Sequence, residues 1–210
     1  MEMSHPLRVV TASLDGDLLA VLAQADASFT GRQLARMVGA STEGARKALT
    51  RLVTQGIVER HAAGSAQMFR LNRDHLAAPA ILALASLREV LLSRLRERFS
   101  GWDPAPLYSA LFGSSARGQE RPDSDLDVFV LRPASAATDD PRWRDQLEHL
   151  AQDVTSWTGN DVRVLEFGLH EIRELTEPEP VLDDVLHEGI PLSGDIAHLR
   201  RAMRSLPSTP

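Results

Sequence analysis

Apolar residues recur at helical spacing through "SLDGDLLAVLAQAD", where Leu14, Leu18 and Leu22 mark one face. A second, short helix is predicted in "TGRQLARMVGA". It opens on Thr30 followed three residues later by Gln33, the pattern of a capping box, and stops at Gly39. The segment "STEGARKALTRLVTQG" has Ser41 and Thr42 as candidate caps, a stripe of Ala45, Leu49, Leu52 and Val53, and an end at Gly56. Strand formers then flank a Gly-Ser turn in "IVERHAAGSAQMFRL", which predicts a hairpin. Beyond it, Leu76, Ile81, Leu84, Leu87, Leu91 and Leu95 predict one long connecting helix over 76–99, with Pro79 tolerated in the first turn. "SGWDPAP" breaks that pattern and marks a boundary near residue 100. Past the break, "PLYSALFG" and "DLDVFVL" read as buried strands, "PRWRDQLEHLAQDVTSWTG" as a helix and "NDVRVLEF" as a strand.

Composition narrows the class. The chain has 210 residues, enough for two small domains, and 43% apolar with 25% charged residues is ordinary for a soluble globular protein. No apolar run approaches the ~20 residues of a membrane-spanning helix, and "MEMSHPLRVV" lacks the features of a secretion signal. A cytoplasmic protein without membrane attachment is expected. With no cysteine, disulfides and thiolate metal sites are excluded, so any metal must sit on oxygen or imidazole. The net charge of −6 is unevenly spread. Between Thr30 and Arg73 eight basic residues face two acids, so this stretch carries a surplus of six and the rest of the chain a deficit of twelve.

The order helix, helix, turn, helix, hairpin resembles the winged helix-turn-helix domain of bacterial transcriptional regulators over roughly residues 10 to 75. The third helix presents Ser41, Thr42, Arg46, Lys47 and Arg51 away from its apolar stripe, towards a major groove, while Arg60, His61 and Arg70 of the hairpin would meet flanking phosphates. Double-stranded DNA is the partner that this resemblance implies; a small helical domain with solvated arginines, or a winged helix that binds protein, is the alternative.

The densest chemistry lies in "LFGSSARGQERPDSDLDVFV". Alternation along a strand puts Asp125 and Asp127 on one side, with Leu126 turned away and the two Cα atoms roughly 6–7 Å apart. Two such carboxylates repel each other, and a divalent cation is the usual relief. Gly113 and Ser114 leave the preceding strand in a small-residue turn, where backbone N–H groups can approach a phosphate. Gly113-Ser114-Ser115-Ala116-Arg117-Gly118 followed by Ser124-Asp125-Leu126-Asp127 resembles the signature of the minimal nucleotidyltransferases in the DNA polymerase beta superfamily, over roughly residues 100 to 194. "EPVLDDVLHEGIPLSG" resembles the helix and short strand with which small members finish. The resemblance implies that Asp125 and Asp127 bind two Mg2+ ions bridging a nucleoside triphosphate. It further implies that Gly113 and Ser114 form the phosphate-binding turn, with Arg117 holding phosphate or supporting the turn.

One position departs from that signature. The third carboxylate of the family falls, by pattern, on Arg163 in Val162-Arg163-Val164-Leu165. A guanidinium stays protonated and repels a metal. Asp161, two residues earlier on the same strand face, substitutes if the register slips or the metal is displaced; Glu166 faces the other way by parity; or the domain binds nucleotide without turning it over, with Arg163 as counter-charge. His149, His170 and His187 fall in helical contexts without ligand spacing, and Trp143 and Trp157 read as core. The expected fold is α/β (α+β): a winged helix at 1–75, a connecting helix at 76–99 and a nucleotidyltransferase-like domain with a small mixed sheet at 100–210. The expected activity is Mg-dependent transfer of a nucleoside monophosphate from NTP to a hydroxyl acceptor. The alternative is a non-catalytic DNA-binding regulator whose second domain binds nucleotide or mediates dimerisation. A homodimer or a partner protein fits either reading.

Overall fold

Ser13 starts the first helix, α1 (Leu14–Gln24), by accepting a hydrogen bond from the Gly16 N–H through its hydroxyl. A two-residue strand, β1 (Phe29–Thr30), leads into α2 (Gly31–Met37), where the capping box forms: the Thr30 N–H donates to Gln33 Oε1 at 2.8 Å and the Gln33 N–H donates to Thr30 Oγ1 at 3.2 Å. Ser41 caps α3 (Thr42–Thr54), and β2 (Val58–Ala63) returns as β3 (Ala66–Leu71). These strands form an antiparallel sheet in the order β1-β3-β2, with Leu18, Leu22, Leu34 and Leu49 fully buried beside it. A fully buried leucine contributes about 1.5–3 kcal/mol relative to exposure, so this cluster holds the three helices on the sheet.

In this computed structural model residues 1–119, 121, 123–175 and 179–204 are described. Contacts divide the chain into a unit of Glu2–Glu89 and a second running from Val90. The long helix expected over 76–99 is instead two, α4 (Ala78–Ala85) and α5 (Leu87–Ser100), separated at Ser86. The Ser86 hydroxyl donates to the Ala83 carbonyl at 3.0 Å, a local bond that competes with the helical ladder, and Leu76, counted in the apolar stripe, lies ahead of α4 and is exposed. No helix among the described residues is long and apolar enough to cross a membrane.

In the second unit β4 (Tyr108–Phe112) runs into α6 (Gly113–Arg117), then β5 (Leu126–Arg132), α7 (Pro141–Thr158), β6 (Val162–Gly168), α8 (Leu169–Glu174), α9 (Pro180–Glu188), β7 (Ile190–Gly194) and α10 (Ala197–Met203). The sheet order is β6-β5-β4-β7, with β5 and β6 parallel and the other pairs antiparallel, so the sheet is mixed. The parallel pair requires a crossover, which α7 supplies. Tyr108, Ala110, Phe129 and Leu131 pack with Ile172, Leu182, Val185 and Leu199 of α8, α9 and α10 on one face. Glu166 projects from the other face, where it accepts from Trp143 Nε1 of α7 at 2.8 Å and from Arg132 Nε at 2.7 Å. With both faces covered, Val128–Leu131 read as an unbroken apolar run and are fully buried.

Candidate active site and basic groove

Asp127 is the second residue of β5 and has a partner on each side: Phe112 across β4 and Arg163 across β6. Strand pairing alone therefore brings the end of β4, the start of β5 and the start of β6 together. Gly113 follows Phe112 with φ +70°, and a Cβ built there would lie 2.5 Å from Asp127 Oδ2. Only glycine permits both the backbone angle and the close carboxylate. Burial raises the Asp127 pKa above the ordinary aspartate value, and Asp125 adds to the shift, while the nearby charges of Arg163 and Arg117 oppose it.

Asp125 precedes β5 in a turn fixed by two reciprocal bonds, Arg121 N–H to Ser124 Oγ at 2.9 Å and Ser124 N–H to Arg121 O at 3.0 Å. Asn160 Nδ2 donates to Ser124 O at 2.9 Å and ties the same turn to the loop before β6. Asn160 had no signal in the sequence, because its role depends on the parallel pairing of β5 with β6. Arg163 Nη2 lies 3.3 Å from Asp125 Oδ2, with side chains 72% and 41% exposed respectively, so Arg163 shares a side with both carboxylates. In the stretch between the turn and Asp125, Glu120 and Pro122 lie outside the described residues.

Ser114 is half-buried in α6, and its carbonyl accepts from the N–H of Gly118 and of Gln119. With only five residues, α6 brings little macrodipole to the turn. Arg117 donates to Glu188 of α9 at 2.5 Å, which places it as a brace of the turn, near enough to Asp127 for the two charges to interact. Asp161 does not join the carboxylate pair: it is exposed, it lines a hollow with Gln152 and Thr155 of α7, and its backbone carbonyl accepts from Leu126 N–H. The register has not slipped, since Leu126 pairs with Val162 and Asp127 with Arg163. Glu166 is committed to Arg132 and Trp143, as its parity requires.

A cation is thus offered two carboxylates and the turn beside them. That donor set would suit a hard divalent ion, with the rest of its coordination supplied from outside these residues. Among the described residues no group of three or more His, Asp or Glu side chains is placed to share an ion, and the residue in register with Asp127 on β6 is Arg163. His187 bonds its own helix at Asp183 O, and His170 pairs with Glu174 one turn on. Trp143 is fully buried, and Trp157 carries Arg94 over its ring at 5.4 Å.

In the first unit Ser41 is occupied as the cap of α3, accepting from Gly44 N–H at 3.1 Å. Thr42, Arg46, Lys47 and Arg51 are exposed along α3. Glu43 takes Arg46 at 2.7 Å and Lys47 at 3.8 Å, and Asp15 takes Arg51 at 2.5 Å. Arg60 on β2 is exposed and, with Arg32, forms no ion pair among the described residues. Both arginines line a cavity of 690 Å³ between α3 and the hairpin, with Leu49, Val53 and Phe69 among the other lining residues.

Residues 90–189 match the family model of the nucleotidyltransferase domain. No curated protein matches the chain. Among solved structures, the chain is similar to a mutant of the toxin–antitoxin pair MntA–HpeT, with 20% identity, TM-score 0.38 and coverage of 56% of this chain and 81% of that one. It is also similar to a toxin–antitoxin structure with AMP-PNP, with 23% identity, TM-score 0.34 and coverage of 57% and 81%. The stretch of this chain that matches the nucleotidyltransferase domain is the one that carries Gly113, Asp125 and Asp127 at the end of its mixed sheet.

Proposed function

We propose that the second unit binds a nucleoside triphosphate with a divalent cation and transfers its nucleoside monophosphate to a hydroxyl acceptor. The observation that carries this is the packing of Asp127 against Gly113, with Asp125 on the same side, within the segment matching the nucleotidyltransferase domain. Asp125 and Asp127 hold the cation, Mg2+ in the cell. When bound, it neutralises charge on the transferring phosphoryl group. Gly113 and Ser114 leave room for the polyphosphate beside those carboxylates, and Arg117, tied to Glu188, keeps the turn in place. In the transfer the acceptor hydroxyl gives up its proton to solvent, its oxygen forms a bond to the α-phosphorus, the bond from that phosphorus to the oxygen bridging to the β-phosphate breaks, and pyrophosphate leaves.

Incubation of the full chain with Mg2+, each α-labelled NTP and a panel of hydroxyl acceptors tests this. Label on an acceptor, together with pyrophosphate, is expected, and loss of both in Asp125→Ala and Asp127→Ala. Transfer that is unchanged in those two variants overturns the role of the carboxylates.

A second reading concerns the first unit, and it is favoured by Arg32 and Arg60, which line the cavity beside α3 without an ion pair among the described residues. The unit binds duplex DNA, with α3 offered to the major groove and the β2–β3 hairpin to phosphate. The ion pairs of Arg46, Lys47 and Arg51 with Glu43 and Asp15 must open on binding. Failure to retain any duplex at low salt overturns this reading.

A further inference from the structure

Among the described residues, Arg163 is the one cation that the sheet aims at the carboxylate pair, and its placement distinguishes this site from a two-ion centre. It is in register with Asp127 and reaches Asp125 at 3.3 Å. Its side chain is 72% exposed, which leaves room to swing from Asp125 towards a ligand. The neighbouring acids do not counter it: Asp161 lies towards α7, and Glu166 is bonded to Arg132 and Trp143 on the opposite face. A guanidinium remains charged at every accessible pH, and its planar fork matches two phosphate oxygens at once. A second divalent ion placed beside it would meet a fixed positive charge where a ligand should be.

We infer that Arg163 takes the place of a second metal ion: the site holds one divalent cation per nucleotide, and the guanidinium supplies the remaining positive charge to the polyphosphate. This rests on the nucleotidyl-transfer reading of the same site. Arg163 is held by Asp125, which keeps the two acids from facing each other uncompensated. When the nucleotide enters with its cation, Asp125 turns to the cation and Arg163 to the phosphate oxygens.

The test counts ions. The full chain, in excess over the α,β-methylene analogue of ATP, GTP, CTP or UTP in turn, is titrated with Mn2+. Bound ion is read from the loss of the free Mn2+ electron paramagnetic resonance signal. One Mn2+ per bound nucleotide is expected for the native chain, and two for Arg163→Asp, which restores a third carboxylate. Arg163→Gln should weaken nucleotide binding at saturating Mn2+ on the order of tenfold, with Arg163→Lys in between. Two ions in the native chain, one ion in Arg163→Asp, or unchanged affinity in Arg163→Gln overturns the inference while leaving nucleotide binding intact. A native chain that retains neither nucleotide nor Mn2+ removes the underlying reading, and the inference with it.

Discussion

Gly113 meets two constraints at once: its φ of +70° favours glycine, and the Asp127 carboxylate fills the space that a Cβ would need. Gly113→Ala is expected to cost about 1–3 kcal/mol in urea unfolding, since an unfavourable φ and a displaced carboxylate combine, and to abolish retention of nucleotide. Asp127 itself works against stability. Burial raises its pKa, so the native state holds the proton more tightly than the unfolded chain does. Stability therefore falls as pH rises from the unfolded aspartate range through the native value, and the deficit persists above it. Asp127→Asn should melt at a higher temperature than the native protein at pH 7, with the gap closing on acidification through that window; a variant that melts lower at pH 7 contradicts the assignment. The residue types at this site were legible in the sequence, as was the arginine at the third position. What was not legible was the touch of Gly113 on Asp127, or of Arg163 on Asp125, because both arise from cross-strand pairing between segments far apart in the chain.

Secondary structure was most legible where a short-range rule decides it. Thr30 and Gln33 form both bonds of the capping box, and Gly39 and Gly56 end their helices with φ +65° and +80°. Elements fixed by distant partners escaped: β1 is two residues long and exists through its pairing with β3, and α10 buries Leu199 and Ala202, with Leu199 in a cluster built from β4, β5, α8 and α9. Apolar periodicity also continued through Ser86 and hid the break between α4 and α5. Besides the apolar contact of Ile172, α8 is tied to the sheet by Arg132, which is buried and bonds Glu166, the Ala136 carbonyl at 2.7 Å and Glu171 at 2.6 Å. Arg132→Met leaves Glu166 with less compensation in a largely buried setting. A loss of about 3 kcal/mol is expected, measurable by chemical denaturation. A variant as stable as the native chain would show that the network is dispensable.

Across the whole chain, the surplus of positive charge between Thr30 and Arg73 lies in one unit and the carboxylate site in the other, so two chemistries can be tested separately. For the first unit, Arg32→Ala with Arg60→Ala should weaken duplex binding and reduce the slope of log affinity against log salt by about 2, near 0.9 per lost phosphate contact. An unchanged slope would place DNA contacts elsewhere. For the second, the chemistry to be tested is carried by one twenty-residue stretch around Gly113 and Asp127. The most direct measurement is pyrophosphate release from α-labelled NTP with Mg2+ and acceptor, compared between the native chain and Asp125→Asn with Asp127→Asn. The account predicts matched release of pyrophosphate and labelling of acceptor by the native chain and neither by the double variant; equal turnover by the two would contradict it.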